Sequence, residues 1–336
     1  QPEMVGHSFA KKQENGSERA VRSVSAIVCG LFVVVLLSGC GREGESCAVS
    51  SKASRPVVFT TFYPTAYFAE RIGGEHIKVV CPVPEAADAI FWMPDDAVIQ
   101  DYQKADLIVL NGAGFSKWVG KVSLPESRIV DTALPFCDSF IRFEDAVVHS
   151  HGPGGAHAHE GIDGHTWMDP VNAKVQAGEI LNALVERWPE WEPRFAVGYA
   201  SLAKDLDGLA ARLAAFRDMP GSPPAMFASH PAYNYVVRRY QWNVANLDLD
   251  PEVMPTPAEL AQIRERFRGF MAGTLMWESE PLPEVAELMK SELGLESIVF
   301  SPCELLTAAQ RARGDDYISI MHGNLDRLQV VYGDAE

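Results

Sequence analysis

EPRFAVGYASLAKDLDGLAARLAAFR, Glu192 to Arg217, is the stretch around which the rest of the chain arranges itself. Phe195, Leu202, Leu206, Leu209, Leu213 and Phe216 recur at spacings of three, four and seven, which places them on one face of a single long amphipathic helix. Pro220, Pro223 and Pro224 follow and end it. Upstream, short apolar runs alternate with helical stretches. Val57 to Thr61, Ile77 to Val80, Leu107 to Leu110 and Arg128 to Val130 read as strands, with helices over Tyr63 to Ile72 and Asp96 to Gln103. Downstream, Ala225 to Ala228, Trp242 to Ala245, Thr274 to Trp277 and Ser297 to Phe300 repeat the strand pattern. Strands that alternate with helices imply parallel sheets with crossover connections. The expected fold is therefore α/β, with two lobes joined by one long rigid helix, and no repeat period of 20 to 50 residues argues for a solenoid.

At 336 residues, 47% of them hydrophobic, the chain can bury a sizeable core and exceeds the usual size of one domain. A formal net charge of -16 and the lack of a clustered Lys/Arg footprint argue against nucleic acid as a partner. The first forty residues read as targeting sequence. Lys11, Lys12, Arg19 and Arg22 make a positive region, Ala26 to Leu37 an apolar run of twelve, and Leu37-Ser-Gly-Cys40 follows, with Met4 read as the initiator. That run is short for a membrane span and fits a secretory signal. Leu-Ser-Gly-Cys resembles a bacterial lipobox, which implies a signal peptide over residues 1–39, lipidation of Cys40 and a flexible tether over 40–55. The lobes are then expected at 56–190 and 219–336, with the linking helix at 191–218. Cys47, Cys81, Cys137 and Cys303 are scattered without any C-x-x-C, so a zinc-thiolate cage is not expected, and disulfide pairing is left open.

Asn111-Gly-Ala-Gly after a strand, with Asp131 ending the next, superficially suggests a dinucleotide fold. Lys117 stands where the third glycine belongs, so a tight strand-to-helix turn is the better reading. There is no G-x-S-x-G elbow and no H-E-x-x-H pair. Five of the nine histidines fall in the stretch from His149 to His165, at 149, 151, 157, 159 and 165. His165 lies just ahead of a helix expected from about Val171, and His230 directly follows a strand. Ligands in open α/β sheets bind at the carboxyl ends of strands, so a strand-end histidine in each lobe is expected to converge on the cleft between them, where neutral imidazole suits Zn²⁺.

Six blocks lie in a known order: Thr60-Thr-Phe-Tyr-Pro64, Ile72-Gly-Gly-Glu75, Lys104 to Gly112, His165-Thr-Trp-Met-Asp-Pro170, Ser229-His-Pro-Ala-Tyr233 and Tyr317 to Leu325. From Pro56 to Gly333 the chain resembles the zinc and manganese solute-binding proteins of ABC importers. The resemblance implies a non-enzymatic monomer, lipid-anchored outside the cytoplasm, that holds Zn²⁺, less readily Mn²⁺, and hands it to a permease served by an ATPase. It implies His165 and His230 as ligands, and a collecting loop made of His149, His151, His157 and His159. Two family ligand positions are altered, to Ile90 and Ser301. Glu278 aligns with a family glutamate and is the expected third ligand, while an N-cap or ion-pair role at the following turn is equally compatible. Asp88, Asp95 and Asp96 are further candidates to reach the cleft, and Phe91 and Trp92 are expected to pack against apolar surface. A two-histidine, one-carboxylate set plus water makes a zinc site with an open position. Altered cargo, a zinc hydrolase and a surface adhesin are the competing readings.

Overall fold

The structure, a computed structural model, describes residues 54–85, 87–143, 147–150, 156–159 and 161–333. In chain order the elements are β1 Val57–Thr60, α1 Tyr63–Gly73, β2 Lys78–Val80, α2 Asp96–Lys104, β3 Leu107–Leu110, β4 Ile129–Asp131, β5 Val147–Ser150, β6 Ala156–His159, α3 Pro170–Arg187 and α4 Glu192–Arg217. They continue with β7 Ala225–Ala228, α5 Asn234–Tyr240, β8 Asn243–Asn246, α6 Pro257–Arg266, β9 Thr274–Trp277, α7 Pro283–Leu293, β10 Glu296–Val299, α8 Ala308–Arg313 and α9 Tyr317–Tyr332. The signal, lipidation and tether segments expected before residue 54, Cys40 included, lie outside the described residues.

Two parallel four-stranded sheets form, in the orders β2-β1-β3-β4 and β10-β9-β7-β8. Read from the other edge, the second is β8-β7-β9-β10. Each lobe therefore reverses strand order at the same place, between its first and third strands. The register pairs Phe59 with Val80 on one side and with Ile108 on the other. Phe227 sits likewise between Ala245 and Leu275. These strands read as apolar runs because both faces are covered: Leu107, Ile108 and Val109 are buried, as are Leu275, Met276 and Trp277.

Helix α4 runs 26 residues, about 39 Å at 1.5 Å per residue. Pro193 opens its first turn, where a missing N–H costs nothing. All six residues of the apolar stripe are buried. The helix packs against α1 and α3 on one side and α9 and α5 on the other, so one rigid rod serves both lobes. Asp169 accepts from Val171 N at 3.0 Å and caps α3, which begins one residue before the expected point.

Two expectations are corrected. The Asn111-Gly-Ala-Gly turn leads into no α-helix before β4, only short 3-10 turns at Val119–Lys121 and Glu126–Arg128: Gly112, Ala113 and Gly114 all take positive φ and carry the chain through a left-handed loop. Gly112 is required there, because a Cβ at φ +84 would meet Asp131 Oδ1 at 1.9 Å. The histidine-rich stretch, expected as a collecting loop, has its described parts in an antiparallel ribbon that pairs His149 with His157 and Val147 with His159. The β-branched Val147-Val148 on one arm and the alternation Ala-His-Ala-His on the other, flanking a glycine-rich segment, are the local reason. His151 lies outside the described residues.

Candidate functional site

Strand β7 ends at Ala228, and Ser229-His230-Pro231 follows, so His230 issues from the carboxyl end of a central strand beside the switch in strand order. Its neighbour β9 ends at Trp277 and delivers Glu278 on the other side of that switch. This is where an open α/β sheet leaves a crevice. His165 arrives differently, which corrects the expectation of a strand-end histidine in each lobe. It sits in the loop ahead of α3, and that loop is hung on Asn111 at the end of β3. Asn111 Nδ2 donates to Gly164 O at 2.9 Å, and its Oδ1 accepts from Thr166 Oγ1 at 3.2 Å and from Gln176 Nε2 at 2.9 Å. Gly164 lies tight against Phe115, since a Cβ there would meet it at 3.0 Å and Phe115 would have to give by a few tenths of an ångström.

The two histidines meet across the cleft with their Nε2 atoms 3.4 Å apart. Both are buried, at 1% and 3% exposure. The carboxylate that joins them is Glu304, whose Oε1 lies 3.3 Å from His165 Nε2. Ligand atoms of His165, His230 and Glu304 all fall within 4.8 Å of one another, the only such group of three among the described residues. Glu278 stands on the far side of His230, with Oε2 3.7 Å from Nδ1.

Sequence reasoning missed Glu304. It comes from the loop after β10, three residues beyond Ser301, where a family ligand was sought. Ser301 instead builds the turn. Its Oγ accepts from Cys303 N at 3.2 Å, and its backbone pairs with the Asn324 amide at 3.0 and 2.7 Å. Cys303 takes a left-handed φ of 58, and the chain thereby turns Glu304 toward the histidines. Trp167 Nε1 donates to Pro302 O at 2.7 Å and Tyr63 N to Glu304 O at 3.2 Å, so the first lobe grips this loop directly. A carboxylate within one turn of an altered ligand position was the available signal.

Ile90 is core, 4% exposed, with its N–H bonded to Asp88 Oδ1 at 2.9 Å and its carbonyl to Lys117 N at 3.1 Å. Trp92 packs edge-on to Trp118 at 6.2 Å. Phe91 is part-buried against the main apolar cluster, as expected for this altered segment. Of the three nearby aspartates, Asp95 caps α2 through Val98 N at 2.9 Å and Asp96 lies in that helix's first turn, and neither belongs to the group formed by His165, His230 and Glu304. Asp88 is close enough to raise the Glu304 pKa.

The electrostatics oppose one another. Burial disfavours a charged His165, but hydrogen bonds to Asp163 and Glu304 outweigh it and push its pKa up to about 10. Burial raises Glu304, while His165 pulls it down. Two buried ring nitrogens and a largely buried carboxylate make a set suited to a divalent cation of borderline softness. A groove of about 1250 Å³ is lined by Glu278, Glu304, Thr307 and Arg313, so it borders the site on its carboxylate side. Cys81, Cys137 and Cys303 are free thiols, and none belongs to this group.

Residues 58–331 match the model of the family described as ZnuA, the periplasmic component A of the zinc-uptake complex. The chain is 27% identical over 313 residues to the high-affinity zinc uptake system protein ZnuA of Bacillus subtilis, across 89% of this chain and 96% of that one. It is 26% identical over 310 residues to the zinc-binding lipoprotein AdcA of Streptococcus pneumoniae, across 90% of this chain and 59% of that longer protein. Among solved structures, the metal-dependent lipoprotein YcdH of B. subtilis matches with a TM-score of 0.70 at 22% identity, across 82% of this chain and 98% of the other. The Zn(II)-bound ZnuA-like domain of S. pneumoniae AdcA matches with a TM-score of 0.71 at 21% identity, across 83% and 100%. At these identities the two structures bear on the fold.

Proposed function

The chain belongs to the family of the periplasmic component A of zinc-uptake complexes, and from that premise we propose that it captures Zn²⁺ outside the cytoplasm and delivers it to an ABC permease and its ATPase. His165 from one lobe and His230 and Glu304 from the other are the proposed ligands, with water completing a tetrahedron and Glu278 beside the other ring nitrogen of His230. The convergence of these three groups within 4.8 Å, from three separate loops, is the observation that carries the reading. Capture needs no bond chemistry, so the role is that of a binding protein. Lipidation at Cys40 and a tether over residues 40–55 would hold it at the membrane as a monomer, with α4 the rigid connection between lobes over 56–190 and 219–336. The histidines of the collecting stretch, 149, 151, 157 and 159, would collect zinc at lower affinity, since imidazoles away from a built site bind and release metal quickly.

Calorimetric titration of the mature chain tests this. One Zn²⁺ is expected to bind tightly, with weaker binding that disappears when His149, His151, His157 and His159 are replaced. The His165→Ala, His230→Ala double variant is expected to lose the tight site only. Retention of tight binding in that variant sinks the ligand assignment.

A further inference from the structure

Asp163 is fully buried, at 0% exposure, two residues before His165. Its Oδ1 accepts from both the backbone N–H of His165, at 3.0 Å, and the ring Nδ1, at 2.8 Å. Its Oδ2 accepts from Asn234 Nδ2 at 2.9 Å, and its carbonyl accepts from Tyr235 Oη at 2.8 Å. Asn234 and Tyr235 open α5 in the other lobe, four and five residues after His230. Asn234 is itself held, since its Oδ1 accepts from Asn246 Nδ2 at 3.2 Å at the end of β8 and its Nδ2 also reaches Pro231 O at 3.1 Å. One carboxylate therefore spends one oxygen on the first lobe's histidine and the other on the segment that carries the second lobe's histidine.

We infer that Asp163 is the positioning residue of this zinc site: it fixes His165 as the Nδ1–H tautomer with Nε2 facing His230 and Glu304, and ties that orientation to the lobe that supplies His230. The inference rests on the proposed site. Ligating histidines need their second nitrogen anchored, and loss of the anchor typically weakens metal binding about 10- to 100-fold. Asparagine cannot replace this aspartate. With its oxygen toward His165, its NH₂ faces the NH₂ of Asn234. Turned over, it presents that NH₂ to two N–H groups of His165. Either way a buried donor loses its acceptor.

The test measures zinc affinity by competition with a chromophoric chelator and records the ¹⁵N shifts of the His165 ring in zinc-loaded protein. Wild type is expected to show one species, metal on Nε2 and hydrogen on Nδ1. Asp163→Asn is expected to bind about 10- to 100-fold more weakly and to show more than one ring state. Asn234→Ala leaves the histidine anchored and cuts the other leg, so it is expected to keep the wild-type ring signature with about a 2- to 10-fold loss. A folded Asp163→Asn chain with wild-type affinity and a single Nε2-bound species overturns the inference. Should that variant not fold, undiminished affinity in Asn234→Ala overturns it. If zinc leaves the His165 ring of wild type unperturbed, the ligand assignment itself fails, a result distinct from either of these.

Discussion

Glu304→Gln keeps the shape of the side chain and removes a negative charge 3.3 Å from His165 Nε2. At an effective dielectric of about 20, unit charges that far apart attract by about 5 kcal/mol. Glu304 retains 19% side-chain exposure, so water screens part of that. Breaking one member of a buried charge pair costs about 2 to 5 kcal/mol. A second effect works in the variant's favour. Glu304 is one of two carboxylates holding a proton on His165, so without it zinc displaces a more weakly held proton. The net loss is then expected near the lower end, about 2 to 3 kcal/mol, or roughly 30- to 150-fold in Kd. Calorimetry in two buffers of different ionisation enthalpy reads both quantities together. Wild type is expected to release about one proton per zinc near neutral pH, and Glu304→Gln fewer. Glu278→Gln, which alters a carboxylate on the other ring nitrogen of His230, is the control and is expected to cost less than about tenfold. The assignment of Glu304 as ligand is refuted if Glu304→Gln binds within about threefold of wild type with an unchanged proton count, or if Glu278→Gln loses more.

The remaining predictions concern pH and the turn after β3. Because the His165 pKa is raised, the stability contributed by its protonated pairs is complete below the ordinary histidine value of about 6.5 and is lost as pH rises through about 10. Zinc needs Nε2 bare, so its affinity should climb about tenfold per pH unit from near neutrality toward about 10, a window well above that of an ordinary histidine. Competition titrations that are flat between about pH 7.5 and 9.5 would contradict this. Gly112→Ala must place a Cβ 1.9 Å from Asp131 Oδ1 at φ +84 and disturb the bond from Ala133 N, 3.1 Å long, to that oxygen. A loss of about 1 to 3 kcal/mol follows, read as a Tm lowered by roughly 2 to 12 °C. An unchanged melting curve would show that the loop has another conformation open to it.

Most of the fold was legible because it is written in local periodicity. The stripe from Phe195 to Phe216 specifies one helix face whatever surrounds it, and all six residues are buried as that period requires. The β7 and β9 boundaries were legible to the residue, because buried parallel strands are short apolar runs bounded by polar or turn-forming residues. Where the reading slipped, long-range packing had overridden the local signal. Asn111-Gly-Ala-Gly looks like the entrance to a helix, yet its left-handed residues are selected by Asp131 on the adjacent strand and by the loop that Asn111 carries.

The site divides the same way. His165 and His230 were recognisable because each lies within a distinctive local block, and a histidine's chemistry travels with its identity. Glu304 was not, because its only local mark is a position three residues beyond the altered Ser301, and nothing in Ser301-Pro-Cys-Glu304 says which way it faces. A left-handed Cys303, an Asn324 amide on α9 and a Trp167 indole from the opposite lobe turn it toward the cleft. Asp163 likewise gains its meaning from Asn234 and Tyr235, some seventy residues away. Residue type and period are properties of neighbours along the chain and survive in the sequence. Distances of 3 Å between groups on different loops arise only from the packing of one lobe on the other, and those distances determine which carboxylate faces the two histidines.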